Sequence, residues 1–369
     1  MKQNSRYLFF SIFLGIIIGT NIYLPSRFNF YFGIESGFIL YLLFPSLTVF
    51  MIFGVLPLSN STSRFGSLLY KLAASTMGIL LYLLISVLLV DIIHLFTNFP
   101  LKIYGLSALG IAFLFSFFGI INAWNIRITQ KEISIKGLTK EIRAMHLSDI
   151  HLGHFRGKKF LQKIVEKTKQ QNVDVVFLTG DLFDGRIRLS WETLEPLTQL
   201  KAPVFFIEGN HDKYTGVKEI KNLLREMGIR VLENEMENRV GLQIIGLNHM
   251  AADNETFNMH ASSNGHTIKS TLAELSPKKN KPTVLLHHSP DGIKYASEHG
   301  VDLYLAGHTH AGQLFPIKYL ADLIFDYNKG MHNFNGTTIF VSQGAGTFGP
   351  PMRVGTKSEI TLIQLKPRK

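Results

Sequence analysis

Five short polar groups in the second half of the chain carry side chains that bind metal ions or transfer protons. In chain order they are Asp149-x-His151, Gly180-Asp181, Gly209-Asn210-His211-Asp212, His287-His288 and Gly307-His308-x-His310. Carboxylate, amide and imidazole groups suit Mn, Fe, Zn, Co or Ni. A lone carboxylate such as Asp181 can bridge two ions that lie about 3.5–4 Å apart. The set therefore predicts two divalent transition-metal ions whose identity stays open.

Each polar group follows an apolar run of strand length. The runs are Ile142–Leu147, Val173–Leu178, Val204–Ile207, Thr283–His287 and Leu303–Ala306. Helical patterns separate the early runs, at Phe160–Gln170, Trp191–Leu200 and Ile220–Met227. This alternation predicts a layered α/β domain with sheets flanked by helices. Ligands of such sheets bind where strands end, which is where the five polar groups fall.

Other segments of the domain have weaker patterns. Isoleucines between 126 and 135 indicate a short strand or hairpin at the start of the domain, and Asn248–Pro282 indicates a surface insertion with a short helix near Leu272. Further strands are predicted at Leu242–Leu247, Thr338–Val341 and Glu359–Leu365.

The first part of the chain has a different composition, with few charges and many Phe, Leu and Ile residues. Crossing a bilayer takes about 20 apolar residues in a helix. Four stretches meet that length, at Tyr7–Leu24, Gly33–Leu56, Leu72–Phe96 and Tyr104–Trp124. We therefore predict a four-helix transmembrane N-terminal part at 1–124, followed by the α/β domain at 125–369.

Charge and cysteine content restrict the chemistry and the topology. The chain of 369 residues has no cysteine, which excludes disulfides and cysteine-ligated zinc, and 14 histidines supply other ligands. The net charge of +11 favours anionic partners or reflects topology signals. Basic residues concentrate on one side of the predicted spans, at Lys2, Arg6, Arg64, Lys71, Arg127, Lys131 and Lys136, against Arg27 and Lys102 on the other. The positive-inside rule then places the α/β domain in the cytoplasm, anchored in the inner membrane by several spans.

The motifs resemble those of the calcineurin-like metallophosphoesterases, and specifically their bacterial membrane-anchored branch. The resemblance covers about residues 125–366 and rests on Ser148-Asp-Ile-His-Leu-Gly153, Leu178-Thr-Gly-Asp-Leu182, Gly307-His-Thr-His-Ala-Gly-Gln313 and Val341-Ser-Gln-Gly-Ala-Gly-Thr-Phe-Gly-Pro-Pro-Met-Arg353. It implies that Asp149, His151 and His310 bind a first ion, and that Asp181 bridges. Asn210, His288 and His308 would complete the coordination of the second ion. His211 would donate a hydrogen bond or proton to the phosphate or leaving oxygen, oriented by Asp212.

Several residues leave alternatives open. The family pattern places the ligand two residues before proline, which selects His288 and leaves His287 as a supporting or merely polar residue. Ala311 stands where this branch usually has glycine, so the local loop is expected to differ slightly. Arg353 could touch a substrate phosphate or form a surface salt bridge. The apolar stretch Leu314–Asn335 is interpreted as core packing, with a hydrophobic wall for acyl chains as the alternative.

The resemblance implies a metal-dependent phosphoesterase that hydrolyses a phosphodiester or pyrophosphate bond. The predicted anchor favours a membrane lipid or glycolipid precursor, and a resembling relative hydrolyses UDP-2,3-diacylglucosamine, which makes that compound the first candidate substrate. A nuclease or cyclic-nucleotide phosphodiesterase is the alternative enzyme. No stacking aromatic residues with a basic groove are evident, so nucleic acid is not an expected partner. A catalytically inactive membrane scaffold is the alternative outside enzymology, and the intact ligand set disfavours it.

Overall fold

The structure is a computed structural model that describes residues 3–35, 37–255 and 265–368, with the side chains of 3–13 outside the description. The chain forms two compact units. The first comprises Met1–Ile121 with Gly349–Met352, and the second comprises Asn122–Phe348 with Arg353–Lys369.

Long helices make up the first unit. They are α1 (Gln3–Phe32), α2 (Phe38–Val55), α3 (Arg64–His94) and α4 (Leu101–Trp124). Among the described residues, α2, α3 and α4 are long and apolar enough to cross a membrane. Three candidate spans are therefore found where the sequence predicted four, because much of the Tyr7–Leu24 run in α1 lies outside the described side chains. Helix α3 also begins before the predicted Leu72, because Ser63 caps it by accepting a hydrogen bond from the Gly66 N–H at 2.9 Å.

A polar cluster ties α1 to α3 within the first unit. The guanidinium Nε of Arg27 donates to Asp91 Oδ1 at 2.9 Å, and the hydroxyls of Tyr23 and Tyr31 donate to the same carboxylate. Charged side chains in apolar helices are costly unless they are paired in this way. The cluster therefore fixes the relative register of these two helices.

Two six-stranded sheets form the frame of the second unit. Its strands are β1 (Arg127–Ile135), β2 (Ile142–Leu147), β3 (Leu152–Gly153), β4 (Val175–Thr179), β5 (Phe183–Asp184), β6 (Val204–Ile207), β7 (Arg230–Val231), β8 (Glu235–Arg239), β9 (Leu242–Gly246), β10 (Thr283–Leu286), β11 (Leu303–Ala306), β12 (Gly330–Phe334), β13 (Thr337–Val341) and β14 (Glu359–Pro367). Its helices are α5 (Lys158–Lys169), α6 (Trp191–Leu194), α7 (Asn210–Thr215), α8 (Val217–Glu226), α9 (Ile268–Leu275), α10 (Ile293–Glu298) and α11 (Ile317–Ile324).

The strand order shows a sandwich of two mixed sheets. The first sheet runs β1-β14-β2-β4-β6-β7 and the second β12-β13-β11-β10-β9-β8, while β3 and β5 form a small separate pair. Strands β2, β4 and β6 are mutually parallel, as are β9, β10, β11 and β13. An apolar core joins the inner faces of the sheets, with Phe177 and Phe205 from the first and Leu286 and Phe340 from the second.

Helices cover the outer faces of both sheets. Phe160 and Ile164 of α5 pack with Ile220 of α8 in the core on the outside of the first sheet. Leu272 of α9 and Ala296 of α10 pack against the second sheet. The predicted layered α/β fold with helices flanking the sheets is thus confirmed.

The observed elements follow most predicted runs closely. Strands β2, β6 and β11 have the predicted bounds, and the run near 126–135 forms the single strand β1, parallel to β14. The predicted helix Trp191–Leu200 is α6 followed by a 3₁₀ turn that contains Pro196. The predicted insertion includes α9, and its residues 256–264 lie outside the described part.

Candidate metal centre

The predicted ligands follow strands of both sheets and converge at one edge of the sandwich. Asp149 and His151 follow β2, Asp181 follows β4, and Asn210 and His211 follow β6 at the start of α7. From the second sheet, His288 follows β10, and His308 and His310 follow β11. Because these strands are parallel within each sheet, their carboxyl ends lie side by side.

One group of donors comprises Asp149, His151 and His310. The His310 Nε2 lies 3.3 Å from Asp149 Oδ1 and 3.0 Å from the His151 Nε2. All three side chains are buried, and one donor atom from each lies within 4.8 Å of the others. The group matches the set that the resemblance assigned to the first ion.

A second group comprises Asp181, His288 and His308, with Asn210 beside it. The His288 Nε2 lies 3.1 Å from Asp181 Oδ2, and the His308 Nδ1 lies 3.0 Å from Asn210 Oδ1. Asp181 Oδ2 is also 3.8 Å from the His151 Nε2 of the first group. Asp181 thus lies between the two groups, where a bridging carboxylate would have to be.

The donor chemistry fits two divalent ions. Imidazole nitrogens and carboxylate oxygens converge there, mostly from buried side chains, and such donors suit divalent transition metals. A Cβ atom on Gly209 would lie 2.1 Å from Asp181 Oδ1, and one on Gly307 would lie 2.1 Å from Asp149 Oδ2. Only glycine therefore allows the backbone to approach these two carboxylates so closely.

The ligand-bearing loops hold an uncommon backbone conformation. Left-handed φ values of 48° to 71° occur at Asp149, His151, Asp181, His308 and His310. Such conformations cost on the order of 1–3 kcal/mol each and cluster at functional sites. Ala311 has a φ of 53°, in the left-handed region that glycine favours. The loop therefore keeps a glycine-like backbone conformation at this position although the residue is alanine.

His211 is oriented by a different carboxylate from the one predicted. Its Nδ1 lies 3.1 Å from Asp184 Oδ1, while its backbone N–H donates to Asp181 Oδ1 at 2.8 Å. The carboxylate of Asp212 instead accepts from the backbone N–H groups of Gly209 and Phe183, at 2.9 and 3.1 Å. Asp212 therefore shapes the loop between β6 and α7, and the predicted contact with the His211 imidazole belongs to Asp184.

The charges of the site shift several pKa values. Burial lowers the pKa of His211, but Asp181 and Asp184 outweigh burial and raise it to about 9. Burial likewise opposes protonation of His288, yet Asp181 raises its pKa to about 10. For Asp181 itself, burial raises the pKa, but His288 and His211 hold it well below its usual range. The site thus concentrates negative charge that imidazolium groups, or cations in their place, must balance.

His287 and His288 have distinct surroundings. The Nδ1 of His287 lies 2.7 Å from the Ser289 carbonyl oxygen, and its Nε2 accepts from the Met250 N–H at 3.4 Å. The His288 Nδ1 donates to the Thr179 carbonyl at 2.8 Å, which leaves Nε2 directed at Asp181. Both nitrogens of His287 are thus engaged by protein groups, whereas His288 offers one to the centre.

We expect His288→Ala to lower the metal content by about one ion per chain, because it removes a donor of the second group. His287→Ala should keep the full content, since both nitrogens of that ring contact protein groups, including the Tyr304 hydroxyl, and neither is directed at the centre. Elemental analysis of the purified variants measures both outcomes. A larger metal loss from His287→Ala than from His288→Ala would exchange the two assignments.

Sequence reasoning missed His249, which lies at the site. Its ring centroid is 5.6 Å from that of His288 and 5.8 Å from that of His308, and the side chain is 2 % exposed. The Lys213 ammonium donates to its backbone carbonyl at 2.6 Å. The available signal was its place shortly after β9, at the same end of the second sheet as the other histidines.

Arg353 does not form the surface salt bridge that was one of the two roles predicted for it, and its contact with a substrate phosphate stays a prediction. The side chain is 1 % exposed, and its Nε donates to the Gly346 carbonyl at 3.1 Å. Its Nη2 also donates to the carbonyls of Gln343 and Gly346 and lies 3.0 Å from the His310 Nδ1. The guanidinium therefore holds the 343–346 loop beside His310, where a surface salt bridge is impossible.

The protein has two facing mixed sheets, with carboxylate and imidazole clusters at one edge. This combination of fold and site is typical of metal-dependent phosphoesterases. A profile of the calcineurin-like phosphoesterase family matches residues 142–312, the segment that holds the described donors. An uncharacterized metallophosphoesterase of Aquifex aeolicus is 31% identical over 271 residues, covering 69% of this chain and 98% of its own length. The chain therefore belongs to the calcineurin-like metallophosphoesterase family.

Two further relatives match similar portions of the chain. An uncharacterized metallophosphoesterase of Helicobacter pylori is 36% identical over 247 residues, which cover 66% of this chain and 64% of the relative. A transmembrane protein with a metallophosphoesterase domain from Danio rerio is 34% identical over 276 residues, covering 70% of this chain and 62% of the relative. The chain thus spans somewhat less than two thirds of these two proteins.

Proposed function

We propose that the protein hydrolyses a phosphodiester or pyrophosphate bond in a membrane lipid or glycolipid precursor. The observation that carries the proposal is the convergence of both donor groups and His211 at one sheet edge. The domain that holds them also follows a membrane-length helix directly, since only Asn125 and Ile126 separate α4 from β1. Family membership supports the hydrolytic chemistry, and the apolar helices support a substrate in the membrane.

The donor geometry supports specific roles. Asp149, His151 and His310 would hold one ion, Asn210, His288 and His308 would hold the other, and Asp181, placed between them, would serve both. When bound, the two ions activate water and stabilise charge on the phosphate. The amide oxygen of Asn210 would add a ligand without adding negative charge. His211 donates a proton or hydrogen bond towards the phosphate or the leaving oxygen, and Asp184 keeps its imidazole oriented.

We expect the purified full chain to bind close to two transition-metal ions and to hydrolyse a generic aryl phosphodiester. Reconstitution with Mn, Fe, Co, Ni and Zn, followed by elemental analysis and an absorbance assay, measures both properties. Absence of metal after all five reconstitutions would refute the proposal. Bound metal without hydrolysis of any phosphoester would instead support the inactive scaffold.

The substrate is best sought among lipids. Phosphate or nucleotide release from a membrane lipid extract, with UDP-2,3-diacylglucosamine as the first pure compound, separates this proposal from the nuclease alternative. Single-stranded DNA and cyclic nucleotides serve as comparison substrates. Preferential hydrolysis of these comparison substrates would favour the alternative.

We also propose four membrane spans, with α1 as the first and the domain of residues 125–369 on the cytoplasmic side of the inner membrane. The excess of basic residues at Lys2, Arg6, Arg64 and Lys71 over Arg27 and Lys102 supports this orientation. A polar contact with a predicted span is consistent with α1 as a further span, since Arg27, near the end of α1, pairs with Asp91 of α3.

A green fluorescent protein fused at the C-terminus should fluoresce, and alkaline phosphatase at the same place should be inactive. Fluorescence and enzyme activity in whole cells give the result, with fusions after Leu58 as a same-side control. An active phosphatase with a dark fluorescent fusion would place the domain outside and redirect the substrate search to the cell envelope.

A further inference from the structure

A short helix beside the metal centre carries large apolar side chains on its exposed face. The exposed fractions are 41 % for Ile317, 54 % for Tyr319, 41 % for Leu320, 85 % for Leu323 and 40 % for Ile324. Phe315, just before α11, is 37 % exposed. We name these six residues the α11 surface. The sequence favoured core packing for Leu314–Asn335. That interpretation is wrong for α11, where only Ala321 is buried, whereas Tyr327 and Phe334 do pack against the core.

Such a surface is unusual for a domain in contact with water. Single exposed apolar side chains are common, but a large contiguous set marks a surface that binds a membrane, another protein or an apolar ligand. The polar residues of α11 do not interrupt it. The Lys318 ammonium lies 4.2 Å from the centroid of the Tyr319 ring, and Asp322 Oδ1 accepts from Asn328 Nδ2 at 2.7 Å.

Helix α11 packs against the loop that bears His308 and His310. A Cβ atom on Gly312 would lie 2.5 Å from the Cα of Lys318, so the helix packs directly on that loop. The Thr309 hydroxyl donates to the Asn328 carbonyl at 2.5 Å, and the rings of His308 and Phe325 are 5.9 Å apart. Whatever covers this surface therefore lies next to the metal centre.

We propose that the α11 surface inserts into the interfacial layer of the bilayer that holds this chain. A bilayer is favoured as the occupant because the same chain carries membrane-length helices, and Asn125 and Ile126 alone separate them from the domain. Leu323 protrudes more than any other member, as an inserted side chain must. The pair of Tyr319 with Lys318 places an aromatic ring and a cation together, a combination that suits the headgroup level.

Insertion would present the metal centre to phosphoesters at the membrane surface. This consequence rests on the proposed function, whereas insertion itself does not. A lipid headgroup could then reach the ions while its acyl chains stay in the bilayer. The first test therefore measures insertion without any activity.

The chain has no cysteine, so a single introduced cysteine can be labelled cleanly. Leu323→Cys carrying an environment-sensitive fluorophore, in the full chain reconstituted in phosphatidylcholine–phosphatidylglycerol nanodiscs, should be quenched by lipids with nitroxide-labelled acyl chains. Trp191→Cys, at an exposed apolar position outside the surface, should be quenched much less. An unquenched label at position 323, whether in water or shielded by another protein chain, would overturn insertion, and equal quenching at both positions would do the same.

The second test concerns the consequence for catalysis. Leu323→Glu should lower kcat/KM for a phospholipid in vesicles by on the order of tenfold, because a carboxylate opposes insertion. Hydrolysis of a water-soluble aryl phosphodiester should stay unchanged, since Leu323 is 85 % exposed and outside the donor groups. Equal loss on both substrates would overturn the link between insertion and substrate access. Absence of all hydrolysis in the unaltered chain would refute the proposed function while leaving the quenching result standing.

Discussion

Asp181→Ala is expected to lose both metal ions and to reduce hydrolysis by at least about 10³-fold, because several kcal/mol of charge stabilisation depend on the ions. The carboxylate lies 3.1 Å from the His288 Nε2 and 3.8 Å from the His151 Nε2, so it faces one histidine of each donor group. Its other oxygen accepts from the His211 N–H at 2.8 Å. Its removal therefore disrupts both ion positions and the start of α7 together.

Elemental analysis and the aryl phosphodiester assay on the same preparation check this expectation. Asp302→Asn is the matched control, because Asp302 accepts from the Thr283 N–H at 2.8 Å, at the amino end of β10 and away from the centre. The control should keep both ions and full activity. Two ions retained in Asp181→Ala would show that this carboxylate does not bridge.

The ligand loops were predictable because each ligand comes shortly after an apolar run of strand length. The bounds of β2, β6 and β11 agree with these runs, and the chain then turns at Asp149, Asn210 and His308. Two such sheets bring their carboxyl ends together by packing through one core. Local pattern and global fold thus give the same answer for most of the site.

Asp184 could not be predicted from local pattern. It reaches His211 because β3 and β5 form a two-residue parallel pair, with Leu152 opposite Phe183 and Gly153 opposite Asp184. That pair has no periodicity for a sequence to reveal. Asp212, the nearer residue in the chain, is instead directed to backbone donors by the turn into α7.

The exposure of individual side chains was the other property that the apolar pattern of the sequence could not predict. The residues of α11 have the composition of a core helix, yet five of its eight residues are large apolar side chains that face outwards. Arg353 shows the reverse, since a charged residue expected at the surface is buried among backbone carbonyls. In both cases, the tertiary neighbours determine burial.

His211→Ala should retain both ions and yet lower kcat by about 10²–10⁴-fold, the range for loss of a positioned acid. The imidazole is outside the two donor groups that contain Asp149 and Asp181, although its nearest donor neighbours, His151 and Asp184, form a third possible group with it. Its Nδ1 faces Asp184 at 3.1 Å. Asp184→Asn should give a smaller loss, since the amide still occupies that place without the charge that helps keep the ring protonated.

Leaving groups of different basicity test the role of His211 directly. If His211 protonates the leaving oxygen, its removal should cost much less with a 4-nitrophenyl ester than with an alkyl ester, because nitrophenolate departs without a proton. An equal loss with both esters would restrict His211 to a hydrogen bond with the phosphate, and loss of metal would make it a structural part of the ion sites.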